Sequence, residues 1–191
     1  MTLTFRRYNS EQARGARDTV EAVYQGAYWK NTESGDPFSQ PQAFMGRYDS
    51  YVSNPLFDLV IAFEDDKPVG QAWGWALSSN SRWWEALESE PEPGFTAEDG
   101  TRTFALSEIM VARDWTGRGI AHALHDELLR RRQEQRATLL VRPANTRAYS
   151  TYLRWGWRTV AKLRPPWPAA PTFDVLILPL GAASGSNEGS A

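Results

Sequence analysis

Two glycines one residue apart, Gly117 and Gly119, stand where the apolar run Ile109-Met110-Val111 gives way to an amphipathic stretch beginning Ile120-Ala121. Glycine lets a chain turn tightly and lets a ligand come close to the backbone. The first N–H groups of a following helix lack internal partners and carry the positive end of its dipole, so this spacing predicts a cradle for phosphate. A nucleotide-hydrolysing P-loop would need Gly-Lys-Ser/Thr, and the chain has Gly119-Ile120-Ala121. A dinucleotide fingerprint would need a small residue where His122 stands and an acidic strand end about twenty residues on. Leu139-Leu140-Val141 runs instead into Arg142-Pro143, and both readings are excluded.

A second segment, Asn145-Thr-Arg-Ala148-Tyr-Ser-Thr-Tyr152-Leu-Arg-Trp-Gly156-Trp157, adds a helix with an N-cap residue at its start and a phenol on one face. Together the two segments resemble the signatures of the GCN5-related N-acetyltransferases. The first is similar to Arg/Gln-x-x-Gly-x-Gly/Ala, with Thr116 in place of the usual Arg or Gln. The second is similar to Asn-x-x-Ala-x-x-x-Tyr-x-x-x-Gly-Phe, with Trp157 for Phe. The order and separation of the motifs fit as well, and they cover the C-terminal half of the chain. The resemblance implies a single α/β domain, with a mostly antiparallel mixed sheet and helices on both faces. It also implies acetyl-CoA as cofactor, with Met110, Val111, Thr116, Gly117, Arg118, Gly119, Ile120, Ala121 and Asn145 around it. Arg113 and Arg147 are further candidates for its phosphates.

Acetyl transfer to an amine needs a neutral amine, a polarised carbonyl and a proton for the departing thiolate. An alkyl amine with a pKa of about 10.4 is neutral in only about one molecule per thousand at pH 7, so a base helps. Glu108 is the candidate. It lies within Phe104-Ala-Leu-Ser-Glu-Ile-Met-Val111, where both alternating faces are largely apolar, and burial would raise its pKa toward neutrality. A structural Glu paired with Arg, or an anchor for substrate, would satisfy the same pattern. Tyr152 is the candidate acid, because a phenol keeps its proton at pH 7 and can give it to a thiolate formed beside it. As part of the Ala148, Tyr152 stripe it would alternatively be core, and the surrounding motif favours the acid role. Asn145 could cap its helix, touch the cofactor, or do both.

These residues are expected on a first strand Thr2 to Tyr8, a helix from Ser10 to Trp29, and a second helix from Gln40 to Val52 after the Gly35-Asp36-Pro37 break. Two strands, Phe57 to Phe63 and Val69 to Leu77, flank the turn Glu64 to Pro68. The strand Thr103 to Arg113 enters the glycine loop, followed by a helix from Gly119 to about Gln135. A strand at Thr138 to Val141, a helix at Asn145 to Trp155 and strands at Arg158 to Leu163 and Phe173 to Leu180 complete the order. Arg130, Arg131, Arg132 and Arg136 read as a solvated helix end. The insertion of about 78–102 holds Trp83, Trp84 and an acidic run. It reads either as a solvated excursion with a short helix or as a lid over the acceptor.

The 191 residues suit one domain over 1–180, with a flexible tail from Gly181. Without cysteine there is no disulfide, thiolate metal site or Cys nucleophile. His122 and His125 share a helix with no third ligand in the pattern, and no metal site is expected. The net charge of -2 gives no general attraction to nucleic acid or to an anionic membrane. The start Met1-Thr-Leu-Thr-Phe-Arg-Arg is unlike a signal peptide, and a cytoplasmic protein is expected. The expected acceptor is a small cationic amine held by Trp73, Trp75, Trp83, Trp84 and Glu108, since tryptophan faces attract cations. A protein N-terminus or lysine as acceptor, and a non-catalytic acyl-CoA sensor, remain open. An edge strand at Phe173 to Leu180 would allow a homodimer.

Overall fold

The computed structural model describes residues 2–32, 40–166 and 170–181. The Gly35-Asp36-Pro37 break, and the expected tail beyond Gly181, lie outside them. The chain folds as two compact units, Met1–Trp75 with Leu106–Arg131, and Ala76–Ala105 with Arg132–Ala191.

The first unit begins with β1 (Leu3–Asn9), α1 (Ser10–Gly15), α2 (Arg17–Thr32) and α3 (Pro41–Tyr51), and continues with β2 (Phe57–Glu64) and β3 (Lys67–Ala76). The end of β4 (Thr103–Val111), a 3-10 turn at Arg113–Trp115 and α4 (Ile120–Leu129) return to it. The expected single first helix is two: Asn9 caps α1 in a box with Gln12, and Ala16 ends it after Gly15, a poor helix former. β2 and β3 form a hairpin tighter than expected. Its turn is Asp65-Asp66 alone, both with positive φ, and Pro68 lies within the strand where the register shifts at Ala62/Phe63.

Strand alternation sets what each face packs on. Phe57, Leu59, Ile61 and Phe63 point with Trp73 into one core against Ala13, Val20 and Val23 of α1 and α2 and Phe44 and Tyr48 of α3. The opposite face carries α4. A Cβ at Gly70, the partner of Ala62, would come within 2.9 Å of Leu124 Cδ1. On β1 of this unit, Arg7 pairs with Asp58 at 2.6 Å and donates to the Glu127 and Leu128 carbonyls near the end of α4.

The second unit contains the start of β4, then β5 (Arg136–Val141), α5 (Thr146–Arg154), β6 (Arg158–Leu163) and β7 (Phe173–Pro179). The seven-stranded mixed sheet runs in the order β1-β2-β3-β4-β5-β7-β6. β4 and β5 pair in parallel only at Thr103–Ala105 against Arg136–Thr138, and β4 continues for six residues beyond. β7 is not an edge strand: it hydrogen-bonds β5 on one side and β6 on the other, so it offers no free ladder for a second subunit.

α4 stops at Leu129, well before the expected Gln135. Arg132 lies over the Phe104 ring at 4.4 Å and near Glu134 at 3.4 Å, so a tertiary contact claims the residue that the helix would have kept. The four arginines are thus not one solvated helix end, since Arg136 opens β5.

The insertion holds no helix longer than a turn, and although most of its residues are exposed it is anchored by a buried cluster. Trp84 and Phe95 are buried and meet edge to face at 5.2 Å. Around them the Glu98 carboxylate, 3% exposed, accepts from Trp84 Nε1 at 2.9 Å and Thr103 Oγ1 at 2.8 Å and pairs with Arg136 at 3.2 Å. Burial and nearby Arg102 lower the Arg136 pKa, against the pull of Glu98. A bridge at Leu87↔Leu163 fastens the segment beside β6. Removing one partner of a buried pair strands the other, so Glu98→Ala is expected to cost about 3 kcal/mol in urea unfolding. A loss under about 0.5 kcal/mol, the scale of ordinary surface changes, would mean the clamp does not hold the insertion. Among the described residues no helix is long and apolar enough to cross a membrane.

Candidate active site

In the first unit β4 delivers the chain to the glycine loop. After Val111 the 3-10 turn reverses it, with Trp115 N–H donating to the Ala112 carbonyl at 2.9 Å. Thr116 Oγ1 donates to the Arg113 carbonyl at 2.9 Å, so this side chain braces its own loop. Gly117 and Gly119 follow with φ of +79° and +78°, a region that costs an L side chain about 1–2 kcal/mol. Gly119 is the N-cap of α4 and supplies no capping side chain to the N–H groups of its first turn. A Cβ on either glycine would meet no heavy atom within 4 Å, so the space over the loop is open to a ligand. Arg118 lies exposed over the Trp115 ring at 4.6 Å, a cation beside the turn. An open backbone cradle at a helix N-terminus fits a pyrophosphate.

Gly119→Val places a β-branched residue at positive φ and projects two methyl groups into this space. Acetyl-CoA affinity by calorimetry is expected to fall at least tenfold, about 1.4 kcal/mol, in a variant that keeps its far-UV circular dichroism. Unchanged affinity would move the cradle elsewhere.

Further back on β4, Glu108 is half-buried. Burial pushes its carboxyl up to about 7, while the positive charge of Arg47 and a hydrogen bond from the Ile109 backbone oppose the rise. Arg47 belongs to α3, as does Tyr51, whose phenol burial shifts upward, with Arg47 opposing and Glu108 reinforcing. The Tyr51 ring packs on Trp75 of β3 at 4.7 Å. Glu108 therefore sits in one corner with a cation and an aromatic wall. Arg47 and Tyr51 escaped the sequence reading; they are four residues apart on one helix, and that spacing is the signal that they share a face.

Trp73 alternates with Trp75 as expected, but it is only 1% exposed, among Phe44, Tyr48 and Phe57. It is core and cannot line an acceptor site. Met110 is buried against the same core, where Gln71 Nε2 reaches its sulfur at 3.3 Å, and Val111 Cγ2 lies by Gly70.

In the second unit Asn145 is the N-cap of α5, its Oδ1 accepting from Ala148 N–H at 3.3 Å. Tyr152 is not core: α5 buries none of its residues, and the half-buried Tyr152 ring stands edge-on to Trp155 at 5.8 Å and Trp157 at 6.2 Å. Trp84 is committed to Glu98 and Phe95, and Trp83 meets Trp84 edge to face at 6.5 Å. Within the acidic run, Glu85 is paired with Arg82 and Glu90 accepts from Thr96, which lowers the pKa of both carboxylates.

The family model described as acetyltransferase (GNAT) family matches residues 23–157. No curated protein matches the chain closely. Among solved structures, an acetyltransferase from Thermus thermophilus is similar at TM-score 0.64 and 14% identity, covering 94% of this chain and 98% of that one. The ribosomal-protein-S18-alanine N-acetyltransferase of Escherichia coli is similar at 0.63 and 16%, covering 99% and 100%. PaiA N-acetyltransferase from Thermoplasma acidophilum, solved with coenzyme A, is similar at 0.58 and 11%, covering 94% and 99%. At these identities the three share a fold with this chain.

Proposed function

Because this chain belongs to the acetyltransferase (GNAT) family, we propose that it transfers an acetyl group from acetyl-CoA to the primary amine of a small molecule, by direct attack of the amine on the thioester. Acetyl-CoA supplies the activated acetyl group. The loop from Thr116 to Ala121 binds its pyrophosphate through backbone N–H groups, with Arg118 as the adjacent cation. Thr116, turned onto its own loop, leaves that task to the backbone. The backbone at Met110 and Val111 receives the thioester end, and Asn145 contributes at the start of α5.

The observation that carries the reading is Glu108. With its carboxyl near 7 it is part ionised at neutral pH and can take a proton from an ammonium group before the neutral amine attacks. Trp75 and Tyr51 offer an aromatic face to the body and charge of an amine. Tyr152, proposed from the segment Asn145 to Trp157 that resembles the family motif, gives a proton to the sulfur as the C–S bond breaks. Two protons leave the nitrogen, the first to Glu108 and the second as the amide forms; one proton reaches sulfur, one is released to solvent, and the products are an amide and free coenzyme A.

The acceptor class is tested by offering acetyl-CoA with a panel of small primary amines, and separately with peptides bearing a free N-terminus or lysine, and weighing the products. Acetylated small amines formed at a kcat/KM at least tenfold above any peptide are expected. Acetylation confined to peptides would assign a protein acceptor instead.

A further inference from the structure

The chain has two histidines in all, and α4 holds both. The third group is Asp126, which directly follows His125 and lies one helical turn beyond His122. His122, His125 and Asp126 bring one ligand atom each to within 4.8 Å of one another. Asp126 joins the pair, with Oδ1 2.9 Å from His125 Nδ1 and Oδ2 3.6 Å from His122 Nε2, and the two imidazoles stack at 6.2 Å. His125 is 5% exposed and held in place, whereas His122 and Asp126 are exposed and can swing.

We propose that this face of α4 binds one divalent cation of the zinc class through His122, His125 and Asp126. Zinc takes imidazole nitrogen and carboxylate oxygen at about 2.0–2.2 Å in a tetrahedron, which sets neighbouring ligand atoms a little over 3 Å apart. The 2.9 Å and 3.6 Å distances run to different oxygens of Asp126, and with one ligand atom from each residue already within 4.8 Å of the others, rotation of the exposed His122 and Asp126 side chains closes the set to that separation. Two imidazoles and one carboxylate suit zinc, nickel or copper over magnesium or calcium, which prefer oxygen. Three protein ligands leave the fourth position to water. The site begins three residues past Gly119, so a bound cation ties together the first turns of the helix that carries the phosphate cradle.

The test uses the full chain without an affinity tag, stripped with chelator and titrated with zinc chloride by calorimetry. Saturable one-to-one binding with a Kd near 1 μM, about -8 kcal/mol, is expected. His122→Ala and Asp126→Asn should each weaken it at least tenfold, and the double variant should abolish it. Since both changed residues are exposed, these variants should keep the wild-type circular dichroism. On the wild-type protein, both imidazole side chains should shift in the nitrogen-15 spectrum on adding one equivalent of zinc. No saturable binding up to 1 mM zinc, affinity unchanged in the double variant, or imidazole spectra that do not move would each overturn the site.

Discussion

Glu108→Gln is expected to lower kcat/KM for the amine by about 10²–10³-fold at pH 7, within the range that positioned general bases contribute. The substitution keeps the shape and removes the basicity. The ionised carboxylate is the active form, so wild-type kcat/KM should rise with pH and level off above an inflection set by Glu108 near 7. The variant should lose that inflection and retain acetyl-CoA affinity. Arg47 opposes the effect of burial, so Arg47→Met should move the inflection upward, because the cation that favours the ionised form is gone. A Glu108→Gln enzyme with normal kcat and a raised KM would make this residue a substrate anchor. The pH profile distinguishes the two roles, because an anchor need not titrate in the chemical step.

Tyr152→Phe should lower kcat by about 10²-fold with little change in acetyl-CoA affinity, since the ring stays and only the proton is removed. The ring is held edge-on by Trp155 and Trp157, so phenylalanine should occupy the same place and stability should hold. The loss should shrink with a thioester whose thiol is more acidic, because that leaving group needs less protonation. Wild-type turnover in Tyr152→Phe, under conditions where chemistry limits the rate, would reduce Tyr152 to packing.

What is legible in the sequence is what local chemistry decides. Gly117 and Gly119 need positive φ, Asn145 caps the helix that it precedes, and Glu108 falls in an apolar strand; each is visible within a few residues. What escapes depends on partners distant along the chain. α4 yields Arg132 to the Phe104 ring, and Asp65-Asp66 makes a two-residue turn because Pro68 joins β3 opposite Phe63, with the register shift taken up at Val69. The buried anchor of the acidic, tryptophan-rich insertion is not legible because Glu98 and Arg136, 38 residues apart, give no local sign of pairing. Trp73 and Trp75 are indistinguishable by alternation, and only α3 decides that one is core and the other faces Tyr51. Arg47 and Tyr51 join the site for the same reason, since the meeting of α3 with Glu108 is a tertiary event.

The most direct test of the central claim is amine-dependent thioester cleavage by the wild-type protein, read as free coenzyme A released and acetyl mass gained by the acceptor. Acetyl transfer predicts equal amounts of both, dependent on the amine and reduced at least 10²-fold in Glu108→Gln. Tight binding of acetyl-CoA with no coenzyme A released, across both small amines and peptides, would contradict it and leave a module that binds the acyl donor without using it.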